Sequence, residues 1–114
     1  MAEKVTLTFE ENKLIEKIGK IYEHLDNDIK LQVMFGYAWG NDINNWKYCK
    51  YNKQDLFKQL EVAKMTGVGV IGKDDIWIKI SDNIEIQFCH HGDIHVICAK
   101  WNEYADEIFD LLSN

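Results

Sequence analysis

The sequence predicts an α+β fold: a mostly antiparallel β-sheet, closed by a C-terminal meander, with an N-terminal and a C-terminal helix packed on one of its faces. Three observations predict it. Glu10 to Leu25 and Trp101 to Leu112 repeat their apolar residues at a helical period. Between Ile76 and Ala99 the period changes to two, the spacing of strands. Turn-forming residues break that stretch at Ser81-Asp82-Asn83 and around Gly92. A chain of 114 residues makes a single domain, 1–114, large enough to bury a core without staples.

The first helix carries Leu14, Ile15, Ile18, Ile21, Tyr22 and Leu25 on one stripe, and Asp26-Asn27-Asp28 ends it. Leu31 to Trp39 alternates and reads as a strand, central because both of its sides are fairly apolar. Gly40 to Asn45 is a loop, and Trp46 to Tyr51 is either a short strand or aromatic packing. Asn52 caps a second helix with Asp55 three residues on; Leu56, Phe57, Leu60 and Lys64 share a side, and Gly67 ends it. Val68 to Ile71, Ile76 to Ile80, Ile84 to Phe88 and Ile94 to Ala99 are short strands. The last helix turns Trp101, Tyr104, Ala105, Ile108, Phe109 and Leu112 inward and Glu103, Asp106, Glu107 and Asp110 outward.

Burying one apolar row fixes the register of the meander. The turn at Ser81-Asp82-Asn83 pairs Ile78 with Ile86 and sets Lys79 opposite Glu85. A loop His91-Gly92-Asp93 then sets Phe88 opposite Val96 and Cys89 opposite His95. The outer row reads Trp77, Lys79, Glu85, Gln87, Cys89, His95 and Ile97. That row is either covered by the remaining helix or is a contact surface.

Charge is lopsided along the chain. Asp74 to Asn114 holds nine carboxylates and two lysines, a formal −7, while Met1 to Lys73 holds eleven lysines and ten carboxylates, a formal +1. Such a field repels nucleic acid and attracts a basic partner. All thirteen basic residues are lysines; without the guanidinium fork, a phosphate-binding enzyme is disfavoured. No apolar run approaches the roughly 20 residues of a membrane span. The start Met1-Ala-Glu-Lys-Val has no signal-peptide pattern, and three cysteines cannot all pair. Together these place the chain in a reducing, cytoplasmic setting.

The densest chemical cluster is Cys89-His90-His91-Gly92-Asp93-Ile94-His95. Cys89, His91, Asp93 and His95 are competent zinc ligands that a hairpin tip can converge; the plain alternative is a solvated polar tip. A Cys89–His95 nucleophile is disfavoured, because nearby carboxylates raise a thiol pKa. Val68 to Asp75 lacks the phosphate-loop pattern and reads as a tight turn. Asp42 sits in a loop too short for calcium. The aromatics Tyr37, Trp39, Trp46, Tyr48 and Tyr51 have only Lys47, Lys50 and Lys53 around them, too little for single-stranded nucleic acid, and packing is their better use.

The run Phe88-Cys-His-His-Gly-Asp-Ile-His95, followed by a Trp-led terminal helix, resembles small bacterial immunity proteins. The similar ones protect cells from ribonuclease toxins of contact-dependent growth inhibition systems. The resemblance spans roughly Ile76 to Leu112 and implies a cytosolic, non-enzymatic inhibitor of one toxin domain, with no cofactor. It carries over no interface residues. The acidity fits that role, since carboxylates offered to a basic nuclease cleft mimic substrate charge and speed association. Asp74, Asp75, Asp82, Glu85, Asp93, Glu103, Glu107 and Asp110 are the expected sources of the field, with Trp77, His91 and His95 as anchors. The alternative readings are a small metal-binding protein using the Cys89–His95 tip and a homodimer joined through the outer strand row.

Overall fold

A computed structural model of the chain describes residues 1–35, 47–67 and 70–114. In chain order the elements are β1 (Ala2–Val5), α1 (Glu11–His24), β2 (Lys30–Phe35), β3 (Cys49–Asn52), α2 (Lys53–Thr66), β4 (Ile76–Lys79), β5 (Ile84–Phe88), β6 (Ile94–Cys98) and α3 (Glu103–Ser113). The six strands form one sheet in the order β1-β6-β5-β4-β2-β3. Every neighbouring pair is antiparallel. The fold is therefore the α+β architecture expected from the residues.

Alternation builds the core. Val33, Phe35, Ile76, Ile78, Ile84, Ile86, Phe88, Ile94, Val96 and Cys98 all turn to one face and are buried. Onto this face α1 sets Leu14, Ile18 and Ile21, α2 sets Leu56 and Leu60, and α3 sets Ala105, Ile108 and Leu112, all within one apolar cluster. The second helix thus lies on the same side as the other two, and among the described residues no helix covers the outer face. Across that face run two rows of strand neighbours: Met34, Trp77, Gln87, His95 and Val5, then Lys50, Gln32, Lys79, Glu85, Ile97 and Glu3.

Several expectations hold residue by residue. Ile78 pairs with Ile86, and Lys79 with Glu85. The Asn52 side chain accepts the Asp55 amide at 2.7 Å to cap α2, and Gly67 ends that helix in the left-handed conformation at φ +79°. β2 is an internal strand. Trp46 to Tyr51 resolves in favour of a strand over Cys49–Asn52.

Others need correction. The β5–β6 loop is His90-His91-Gly92, one residue earlier than expected, with Gly92 at φ +89°. The Gly92 amide donates to the Cys89 carbonyl at 2.9 Å and the Cys89 amide to the Asp93 carbonyl at 3.0 Å. Phe88 therefore pairs with Ile94, and His95 with Gln87. The slip is two residues, so each side chain keeps its face, and burial alone could not distinguish the two registers.

Val70 and Ile71 are buried but join no strand; Ile71 makes only an isolated bridge to Asp74. Lys64 is exposed, and Lys53 and Ala63 complete the inner side of α2. Trp101 precedes α3, which Asn102 caps by accepting the Ala105 amide at 2.8 Å. Edge strand β1 was not foreseen, because its mostly exposed Ala2–Val5 carries no apolar alternation. The loop expected at Gly40 to Asn45, the end of the Leu31 to Trp39 strand, Asp42, the aromatics Tyr37, Trp39 and Trp46, and Val68 lie outside the described residues.

Candidate functional site

The expected contact residues do not share one surface. Glu103, Glu107 and Asp110 are exposed on α3, on the helix side of the sheet. Trp77, Glu85 and His95 belong to β4, β5 and β6 and face the opposite way. Asp82 is exposed on the β4–β5 turn. Asp75, His91 and Asp93 cluster at the other end of the sheet, by the β5–β6 loop. Asp74 is not a surface acid at all: it is 4 % exposed, and its carboxylate accepts the Val70 amide at 2.8 Å. The excess of carboxylates from Asp74 onward is thus real along the chain but divided in space.

Several of these acids are also engaged within the protein. Asp75 accepts the His90 amide at 2.7 Å and stands 2.8 Å from its Nδ1. Tyr48 donates its hydroxyl to Glu85, and Lys79 Nζ lies 4.2 Å from the centre of the Tyr48 ring. Burial, together with the Glu85 carboxylate, pushes the Tyr48 phenol far up. His95 lies between Glu3, 3.0 Å from Nδ1, and Asp93, 3.1 Å from Nε2. Lys4 pairs with Asp106 at 3.5 Å.

Glu103, Glu107 and Asp110 belong to a face of mixed charge across α1 and α3, where Glu107 lies 3.8 Å from Nε2 of His24. Tyr104, on α3, stacks on His24 of α1 with ring centres 5.8 Å apart. Burial raises the Tyr104 phenol, and the charges of Asp26 and Glu107 raise it further. The two carboxylates come from different parts of the chain, yet both act on the same hydroxyl. A shallow groove beside them is lined by Lys20, Glu23, His24, Glu107, Asp110 and Leu111, among others. The sequence reading assigned Tyr104 to the inner stripe; it stands at the rim, 36 % exposed. Asp26 and Glu23 were missed because they lie far ahead of Glu107 in the chain, and only helix packing brings them alongside.

The hairpin tip gathers the predicted ligands in two overlapping groups rather than one. Cys89, Asp93 and His95 form the first, and Cys89, His90 and His91 the second; within each, the donor atoms lie within 4.8 Å of one another. His91 therefore does not complete the expected set of Cys89, His91, Asp93 and His95. Its ring instead sits 3.9 Å from that of His90. Burial pushes the Cys89 thiol up; a backbone hydrogen bond at His91 opposes this, and the carboxylates of Asp93 and Asp75 add to it. A thiol so held is a poor nucleophile, as expected from the acids around it.

A second concavity, of about 440 Å³, lies between α1 and α2, with Ile18, Tyr22, Phe57, Leu60 and Ile71 among its walls. No motif marked it, because its walls are the edges of the two apolar stripes. Among the described residues no helix is long and apolar enough to cross a membrane. Compared with known protein families, curated proteins and solved structures, the chain matches no family model, no curated protein and no solved structure.

Proposed function

We propose that the protein is a non-enzymatic inhibitor that binds a cationic partner protein across the α1–α3 face. In its most specific form it is a cytoplasmic immunity protein that neutralises a cognate ribonuclease toxin. The observation that carries this reading is the surface where α3 meets α1: Tyr104, 36 % exposed, stacks on His24, and Glu23, Glu107 and Asp110 line the groove beside it. Glu103 and Asp110 extend the negative surface along α3, a helix that contains no lysine. An exposed aromatic side chain with carboxylates beside it is a suitable anchor for a lysine- or arginine-lined cleft, because the ring supplies buried area and the charges supply orientation and encounter rate.

Relative to the sequence-based expectation, the contact is smaller and differently placed. Glu103, Glu107 and Asp110 stay in it, and Tyr104, Asp26 and Glu23 join them. Trp77, Glu85 and His95 face away from any partner docked there. Blockade of a basic cleft requires carboxylates that act together, and Glu107 and Asp110 share their groove with Glu23, alongside Lys20 and His24.

The test begins with the genetic neighbourhood, where this function requires a large secreted protein with a basic nuclease domain encoded directly upstream. With that domain as partner, the double variant Glu103→Lys/Glu107→Lys is expected to slow association at least about tenfold at low salt and to flatten its salt dependence. Tyr104→Ala is expected to speed dissociation. An unchanged on-rate in the charge-reversed protein removes this face as the contact. Failure of the domain to bind at all removes the immunity reading.

A further inference from the structure

We propose that Cys89, Asp93 and His95 form a binding site for one zinc-class divalent cation, with a fourth coordination position left open. The site is separate from the α1–α3 face and follows from strand geometry. Phe88 and Ile94 are paired and turned into the core, so the next residues outward, Cys89 and Asp93, turn to the other face of the sheet. His95, two residues beyond Asp93, turns the same way. The observed loop sets Cys89 against Asp93; the register shifted by two residues would have set it against His95.

The donor set is selective. A thiolate and an imidazole favour zinc and its first-row neighbours over magnesium and calcium, which take oxygen ligands. The three donor atoms lie within 4.8 Å of one another, and Asp93 Oδ2 is 3.1 Å from His95 Nε2. Metal–ligand distances of about 2.0–2.3 Å place tetrahedral donors about 3.3–3.6 Å apart, so closure requires movements of about an ångström. Glu3 contacts Nδ1 of His95 at 3.0 Å. A hydrogen bond from Nδ1 to that carboxylate presents Nε2 to the metal, the orientation seen in carboxylate–histidine–zinc arrangements.

A further sign is Asp93 Oδ1, which is buried with no N–H or O–H donor in reach, the Cys89 thiol, a weak donor, being the group that faces the carboxylate. A buried acceptor left in this way is costly, and a cation between the three side chains would satisfy it. A bound cation also deprotonates a coordinating thiol outright, so the protonated state of Cys89 in the metal-free protein does not oppose binding.

The experiment is a cobalt titration of protein purified without an affinity tag, under reducing conditions, in a Cys49→Ser background. The expected result is one cobalt per chain and a sulfur-to-cobalt charge-transfer band that zinc abolishes. The band should be absent in Cys89→Ser, and affinity should fall at least about tenfold in both Asp93→Asn and His95→Gln. It should persist in His90→Gln/His91→Gln. No band, a band unaffected by both Asp93→Asn and His95→Gln, or a band lost in the His90/His91 variant overturns the proposal. Circular dichroism checks each fold; if Cys89→Ser does not fold, the Asp93 and His95 variants decide.

Discussion

Lys53 ties the start of α2 to the end of α1: its ammonium donates to the Leu25 carbonyl at 2.7 Å and to the Tyr22 carbonyl at 3.0 Å. Lys53 is 2 % exposed, and its Nζ lies 4.6 Å from the centre of the Tyr22 ring. The last carbonyls of a helix have no partner within it and carry partial negative charge, so a buried lysine here both caps α1 and fixes α2 against it. Lys53→Met leaves the carbonyls without that donor. It is expected to lower the unfolding free energy by about 2–3 kcal/mol, since hydrogen bonds to charged groups contribute more than neutral ones. Urea denaturation measures this, with exposed Lys58→Met as a control expected to shift stability by less than about 0.5 kcal/mol.

That lysine also marks the limit of what the residues alone disclose. Where one face of an element is apolar and the other polar, as in β4 and β5, periodicity identified both the element and its inner side; in α1 and α3 it identified the element but passed over buried Lys17 and turned Tyr104 inward. In α2 the inner side runs through Lys53, Leu56, Leu60 and Ala63, and a charged residue at its head has no apolar signature. β1 was invisible for the related reason that an edge strand held by Thr6 and its backbone needs no apolar row. At the candidate sites, the Cys89–His95 cluster was legible because its members are neighbours in sequence. The Asp26–Tyr104–Glu107 grouping was not, because it exists only once α1 packs on α3.

Gly92 has two separate reasons to be glycine. Its φ is +89°, and a Cβ built on it would stand 2.7 Å from the Phe9 carbonyl oxygen. That oxygen belongs to the segment after β1, which lies over the hairpin: the Phe9 amide donates to the Gly92 carbonyl at 3.0 Å, and Thr6 Oγ1 accepts the Ile94 amide at 3.0 Å. Gly67 has a similar φ of +79° but open space around the Cβ position. Gly67→Ala is therefore expected to cost about 1–2 kcal/mol from conformation alone. Gly92→Ala should cost more than Gly67→Ala, because the backbone contact is also displaced. Thermal or urea unfolding of the two variants side by side checks the order, and equal losses would mean that the Phe9 contact yields freely.

The three cysteines are expected to react in a fixed order. None is in a disulfide; Cys49 is half-buried, and Cys89 and Cys98 are buried. Burial pushes the Cys98 thiol up, which lowers its thiolate fraction, and the Cys89 thiol is raised as well. Alkylation of the native protein near neutral pH, followed by mass spectrometry, should modify Cys49 first and Cys89 much more slowly. Cys98 should be protected until the protein unfolds. Early modification of Cys98 would show that β6 opens locally.

Cys98 also predicts how stability responds to alkali. It is fully enclosed, pairing with Ile84 on one side and Ala2 on the other. In the unfolded chain its thiol ionises near about pH 8.5, whereas in the folded protein burial holds on to the proton to higher pH. Above about pH 8.5 the folded state therefore binds more protons than the unfolded state, and stability falls as pH rises. The contribution is fully present below that pH and is lost as pH climbs through the folded value. Cys98→Ala removes the titrating group, at the cost of a small cavity that lowers stability equally at every pH. The measurement is the urea midpoint at steps from about pH 7 to about pH 10 for both proteins. The parent should lose stability more steeply than Cys98→Ala across the upper half of that range, and parallel curves would show that Cys98 does not drive the alkaline loss.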